Sequence, residues 1–180
     1  MAQKVALDVG SSTGGFTDCL LQRGASEVYA VDVGRHQLHE SLRKNSKVHL
    51  FEETDIRKFD FSLLKSSPEW VVVDVAFISL KLVMPILVKN LPRANFILLF
   101  KPQFEVPVDI PKKRGVAPPA ESQKSLQEML LFLRSLGLNP GVMRESAIKG
   151  AKGNQEVFIM ANQSIPSHIF RTYDIRGNAD

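Results

Sequence analysis

The chain is expected to fold as an α/β protein: a seven-stranded, mostly parallel sheet with helices packed on both faces. Three observations predict this. Short runs rich in valine, isoleucine and leucine recur along the chain and are apolar at consecutive positions, as strands buried on both faces are. Segments with helical spacing separate these runs, and the first run ends in a glycine-rich turn of the kind that joins a strand to a helix beside a ligand pocket. With 180 residues, 44% of them hydrophobic, one proper core is the natural outcome. Residues 1–162 are read as one domain and 163–180 as a polar, loosely held tail.

Taken in order, Lys4 to Val9 is the first strand, closed by Gly10. Gly14 and Gly15 allow a sharp turn, and Phe16, Cys19, Leu20 and Leu21 give the first helix, with Gly24 as its stop. Val28 to Val31 is the second strand and delivers Asp32 at its end. His36 to Lys44 is predicted helical with Leu38 and Leu42 inward, so His36 and His39 would share a face; no third ligand accompanies them and no metal site is expected. Val48 to Phe51 is the third strand. Trp70 to Val75 is the strongest strand and should be central, followed by a helix from Leu80 to Asn90 that Ser79 caps and Pro85 bends. Phe96 to Phe100 is the fifth strand. The proline-rich segment from Pro102 to Pro119 reads as a long mobile loop over the site. Glu121 to Leu136 is an amphipathic helix with Leu126, Met129, Leu130 and Leu133 on one side and Gly137 at its end. Two last strands are expected around Gly141–Val142–Met143 and from Glu156 to Met160.

Composition excludes several classes. The 23 basic and 19 acidic residues leave a formal charge of +4, a mild bias toward anionic partners that is compatible with RNA. One cysteine, Cys19, rules out an internal disulfide and a four-cysteine zinc site. The first residues are polar and lead straight into a strand, so no signal peptide is read, and no apolar run approaches the ~20 residues a spanning helix needs. A cytoplasmic chain without membrane insertion is the expectation. Oligomeric state is not set by the sequence.

The glycine turn separates three ligand classes by spacing. The dinucleotide fingerprint needs a glycine two residues after Gly10, where Ser12 stands. The phosphate-binding P-loop fits Gly10, Gly15 and Thr17, but its lysine is replaced by Phe16. What remains, Asp8-x-Gly10-x-x-x-Gly14, resembles the first motif of class I S-adenosylmethionine-dependent methyltransferases. That resemblance implies a loop, here Asp8, Gly10, Ser12, Thr13, Gly14, Gly15 and Phe16, that wraps the methionine part of the cofactor. Asp32 stands where α/β nucleotide-binding folds hold ribose hydroxyls, with a simple strand-end turn as the alternative. Asp55, after the third strand, is a candidate for the adenine amino group.

Asp74 and Lys101 are delivered by neighbouring strands to the same edge of the sheet, and Glu156 begins the last strand near them. An unpaired carboxylate buried there would be costly, so packing alone does not explain Asp74, which also counts among the cofactor contacts. The basic residues Lys112, Lys113 and Arg114, with Lys149 and Lys152 in a later turn, are candidate RNA contacts or solvated loop residues.

Four strings look like the hemolysin A (TlyA) family of FtsJ-like ribose methyltransferases: the run from Ala6 to Asp18, Tyr29-Ala-Val-Asp-Val-Gly34, Asp74-Val-Ala-Phe-Ile-Ser-Leu80 and Lys101-Pro-Gln-Phe-Glu105. The resemblance runs from about Val5 to Met160. It implies a Rossmann-like class I methyltransferase fold, S-adenosyl-L-methionine as cofactor, and 2′-O-methylation of ribosomal RNA, free or in a ribosomal subunit. Of the family's Lys-Asp-Lys-Glu catalytic set, Asp74, Lys101 and Glu156 match the last three. The first lysine lies upstream of the glycine loop in the family, and Lys4 is too close to the strand to be its equivalent; the family's small amino-terminal RNA-binding domain has no counterpart either. The expectation is therefore a chain that binds the cofactor and methylates RNA weakly or not at all. A ribose 2′-hydroxyl is a poor nucleophile, so the transfer needs in-line positioning and a base for the proton. Lys101 suits that role if partial desolvation or a second cation favours its neutral form, with Asp74 and Glu156 orienting it. Three rivals stay open: a scaffold with a relic cofactor pocket, a membrane-lytic hemolysin, and a nicotinamide dehydrogenase, which Ser12 disfavours.

Overall fold

In the computed structural model, which describes residues 2–150 and 152–163, the chain forms a seven-stranded sheet in the order β3-β2-β1-β4-β5-β7-β6. The strands are β1 (Val5–Val9), β2 (Glu27–Val31), β3 (Val48–Phe51), β4 (Trp70–Val73), β5 (Asn95–Phe100), β6 (Leu138–Glu145) and β7 (Val157–Gln163). The first five are parallel, and β7 pairs antiparallel with both β5 and β6. The predicted tail over 163–180 lies, beyond Gln163, outside the described residues.

Alternation along β1 explains the two layers. Leu7 and Val9 face a large core built with Val83, Met84 and Leu87 of helix α3 (Leu80–Asn90) and Met129 and Leu133 of helix α5 (Pro119–Ser135). Ala6 faces the other way, onto Leu20 of helix α1 (Gly15–Gln22) with Val28 and Val72. Helices therefore cover both faces, as parallel strands require. The chain builds outward from β1 to β3 and then returns to lay β4 on the other flank of β1. That reversal parts the loops after β1 and β4 and opens a crevice at their carboxyl ends, the place where open α/β sheets bind ligands.

Two predicted elements differ. Of the helix expected from His36 to Lys44, only α2 (Glu40–Arg43) forms: His36 is left-handed at φ +54, and His39 caps α2 by accepting from the Ser41 N–H. Leu38 and Leu42 are buried as expected, but the two histidines do not share a helix face. The segment 102–119 is not a structureless loop. It starts with helix α4 (Pro102–Glu105), buries Val106 and Ala117, and closes a small turn by pairing Lys113 with Val116. Pro102 and Pro119, the bounds of the expected loop, each occupy the first turn of a helix, where a missing N–H is harmless.

Candidate active site

The turn after β1 is folded tightly against its neighbours. Gly10 adopts φ +85, and a Cβ there would overlap the Asp74 carbonyl oxygen and stand 2.8 Å from its carbon. The Gly10 N–H donates to the Val31 carbonyl at 2.8 Å, and the Ser12 N–H donates to Asp32 Oδ2 at 2.8 Å. Asp32 Oδ1 accepts from the Gly34 N–H at 2.6 Å. Two backbone donors thus fix the carboxylate at the end of β2, and its remaining lone pairs are free to accept from a ligand.

Between these turns lies a cavity of about 380 Å³ at the carboxyl ends of β1, β2 and β4. Val9, Val31, Val33, Ile56, Val75 and Ile78 make its walls apolar, and Ser12, Asp32, Thr54, Asp74 and Lys101 supply the polar groups. Size and lining suit a nucleoside-sized ligand. Of the residues predicted to hold cofactor, Gly10, Ser12, Asp32 and Asp74 line the cavity. Thr13, Gly14 and Gly15 line a separate hollow on the outer side of the turn, with Asp18 and His39. Phe16 packs edge-on against Phe158, ring centroids 6.1 Å apart. Asp55 is held by Arg57, whose side chain reaches its Oδ2 at 2.6 Å and whose N–H it caps, so only its neighbours Thr54 and Ile56 reach the wall.

Asp8 is fully buried beneath the turn, where its Oδ2 accepts from Thr17 Oγ1 at 2.6 Å and its Oδ1 has no partner. Burial pushes its carboxyl up to about 7, against the opposing pull of the Thr17 bond, with Asp74 and Asp32 adding repulsion. A carboxyl that holds its proton more tightly folded than unfolded favours the fold fully below its unfolded value of 3.8, and that contribution is lost as pH rises through about 7. The loss amounts to about 4 kcal/mol at most. The Asp8→Asn variant should therefore gain stability relative to the parent between pH 5 and pH 8 in urea unfolding. An unchanged difference across that range would refute the raised pKa of Asp8 in the fold.

Asp74 and Lys101 meet at one side of the cavity. Lys101 is extended, as the following proline requires, and its Nζ lies 2.6 Å from Asp74 Oδ1. Oδ1 has no hydrogen-bond partner, so the approach falls outside hydrogen-bonding geometry and is an ion contact. Phe100 pairs with Val157, so one step further Lys101 stands across the ladder from Glu156. Glu156 is buried and accepts from Gln103 Nε2 at 2.9 Å. The antiparallel course of β7 is what brings the start of that strand, and with it Glu156, to this edge.

Two further residues shape the site without having been singled out from the sequence. Glu105 Oε2 accepts from Ser79 Oγ at 2.5 Å and Oε1 from the Leu80 N–H at 2.7 Å. Burial raises its pKa against the pull of both donors. This carboxylate braces the segment after Lys101 onto the helix after Asp74. Phe77 is 91% exposed and left-handed at φ +64, with its ring 5.2 Å from that of Phe104. A bulky residue held in that conformation at a cavity rim costs of order 1–3 kcal/mol, which is an observation pointing to use. The Lys-Pro-Gln-Phe-Glu and Asp-Val-Ala-Phe strings contained both signals. Among the described residues no group of three or more metal-ligating side chains gathers, and no helix is long and apolar enough to cross a membrane.

Comparison with known proteins agrees with this geometry. The chain is 42% identical over 159 residues to the 23S rRNA (cytidine-2′-O)-methyltransferase TlyA of Campylobacter jejuni, covering 86% of this chain and 60% of that protein. It is 38% identical over 156 residues to hemolysin A of Brachyspira hyodysenteriae, covering 85% and 65%. The crystal structure of a candidate hemolysin from Lactococcus lactis superposes with a TM-score of 0.86 at 35% identity, covering 91% of this chain and 79% of that one. This chain thus spans less than two thirds of the length of either curated relative. The family described as FtsJ-like methyltransferase matches residues 2–163. With its strand order, its cavity at the β1–β4 crevice and the Asp74–Lys101 contact at that cavity's wall, the chain belongs to the FtsJ-like methyltransferase family.

Proposed function

We propose that residues 1–162 bind S-adenosyl-L-methionine and transfer its methyl group to a ribose 2′-hydroxyl of ribosomal RNA in the cytoplasm. The observation that carries this reading is the Lys101–Asp74 contact at 2.6 Å on the wall of a nucleoside-sized cavity. The cavity fits the cofactor. Asp32 would hold the ribose diol, Val33 and Ile56 would flank the adenine, and Asp74 with the Gly10–Ser12 turn would face the amino-acid part. When bound, the cofactor supplies a methyl group on a positively charged sulfur.

The chain's own residues do the rest. The hydroxyl needs a fixed direction of approach and an acceptor for its proton. Lys101 Nζ, once it has given up its own proton, would take the proton of the hydroxyl, with Asp74 against it on one side and Glu156, anchored by Gln103, across the ladder. The Glu105 brace keeps Asp74 and Lys101 in register. Phe77 offers an aromatic face beside Asp74 on which the target base can stack. The Phe77→Ala variant should raise the KM for RNA by roughly 5- to 150-fold, the worth of one base–aromatic stack, with a smaller change in cofactor affinity because its ring stands at the cavity rim. A KM that does not move would remove Phe77 from the RNA surface.

The whole reading is tested by calorimetry with S-adenosylmethionine against NAD, followed by transfer of labelled methyl from S-adenosylmethionine to unmodified 23S rRNA. Binding of S-adenosylmethionine and a label that resists alkali at a single internucleotide linkage are expected. Binding of NAD in its place would overturn the assignment, as would label on a base.

A further inference from the structure

Beyond the cavity, the structure gathers three cations that no ion pair engages among the described residues. Lys113 and Arg114 lie on the turn closed by the Lys113–Val116 pairing, and Lys152 comes from the separate turn before β7. All three line one depression of about 550 Å³ with Pro111, Val116 and Pro118, and no acidic side chain lines it. The convergence is built by Asn154, which is 3% exposed. Its Nδ2 donates to the Gly115 carbonyl at 3.0 Å, and its Oδ1 accepts from the Ala117 N–H at 3.0 Å. The two turns are thereby latched together. Gly115, at φ +81, makes room for the result: a Cβ there would overlap the Lys152 side chain and lie 3.0 Å from its Nζ.

A buried amide spent on latching two basic loops is hard to assign to stability alone, because like charges brought together repel. Lys112, the fourth cation of this stretch, is used differently: its Nζ donates to the Val106 and Pro107 carbonyls, so it ties the loop down. The three remaining cations face outward with their sites for hydrogen bonding open. Lys152 is four residues before Glu156, so their Cα atoms lie within about 14 Å of each other.

We propose that Lys113, Arg114 and Lys152 form a phosphodiester-binding site, latched by Asn154, that holds the RNA backbone beside the nucleotide being methylated. It deepens the function proposed above and rests on it for the identity of the polyanion. Arg114 offers a planar fork that matches two phosphate oxygens, and the lysines add point charges. The site positions the strand without reading its sequence.

The test uses the full chain and a single-stranded cytidine oligoribonucleotide, with binding measured across a salt series. Each phosphate contact contributes about 0.7 to the slope of log K against log salt for single strands. The triple variant Lys113→Ala, Arg114→Ala, Lys152→Ala should lower that slope by about 2, whereas Lys89→Ala with Arg93→Ala, on the opposite edge of the sheet, should leave the slope almost unchanged. Lys152→Arg should retain it. Equal slopes for the triple variant and the parent would overturn the proposal, as would an equal loss in the Lys89–Arg93 control, which would mean only diffuse charge is felt. Cofactor calorimetry on the same samples separates the two readings. A triple variant that binds S-adenosylmethionine normally and loses the slope supports the phosphate site. Absence of cofactor binding in the parent would sink the methyltransferase reading while the salt slope still decides this one.

Discussion

Replacing Lys101 by methionine is expected to reduce methyl transfer to RNA by roughly 10²- to 10⁴-fold, the usual worth of a positioned proton acceptor, while cofactor affinity stays nearly unchanged. Methionine keeps the length and the apolar stem but carries no group that accepts a proton at that place. Lys101 is well covered, its side chain 14% exposed, and it packs at 2.6 Å from Asp74, so water cannot substitute freely for the missing nitrogen. The loss should appear in kcat more than in KM, because the group acts on the reacting hydroxyl and not on the ground-state strand. Single-turnover transfer of labelled methyl measures it directly. A variant with parental kcat would show that Lys101 is structural and would leave the proposed chemistry without its acceptor.

The second large effect is expected at Gly10. The Gly10→Ala variant should lose cofactor affinity outright and be destabilised by at least ~2 kcal/mol, since the left-handed backbone costs a side chain ~1–2 kcal/mol before any collision is counted. The collision is with backbone, the Asp74 carbonyl, which cannot rotate away as a side-chain tip would. Relief requires the turn after β1 to part from β4, and Asp74 moves with it. Gly137 provides the matched control: it has φ +79 but open space around its Cβ position. Gly137→Ala should therefore cost only the conformational part, ~1–2 kcal/mol, with cofactor binding intact. Thermal unfolding and calorimetry on both variants separate the two contributions. Equal behaviour of the pair would mean that contact between the two turns is not what shapes the cavity.

Much of this was readable in advance for one reason. Parallel strands buried on both faces must be continuously apolar, so Val28–Val31, Trp70–Val73 and Phe96–Phe100 announce themselves, and with them the positions of Asp32, Asp74 and Lys101 just past their ends. What was misread depended on partners far along the chain. Leu38 and Leu42 have helical spacing and are both buried, yet a left-handed His36 lets a loop deliver the first of them. Proline content made 102–119 look unstructured, because nothing local reveals that Glu105 will meet Ser79 or that Asn154 will meet Gly115 and Ala117. Within the glycine turn the sequence identified the loop but not which side of it each residue takes. Gly10 and Ser12 line the cavity, whereas Thr13, Gly14 and Gly15 line a different hollow.

The antiparallel final hairpin divides the labour of the molecule unevenly along its length. Every side chain that walls the nucleoside cavity belongs to residues 9–101, whereas the opposing acid arrives only with a strand 55 positions later, since 156 − 101 = 55. The cavity with Asp74 and Lys101, and the acid that stands across from Lys101, thus come from two separate stretches of chain. Changes confined to residues 156–163 reach Glu156 and β7 and touch no residue that lines the cavity.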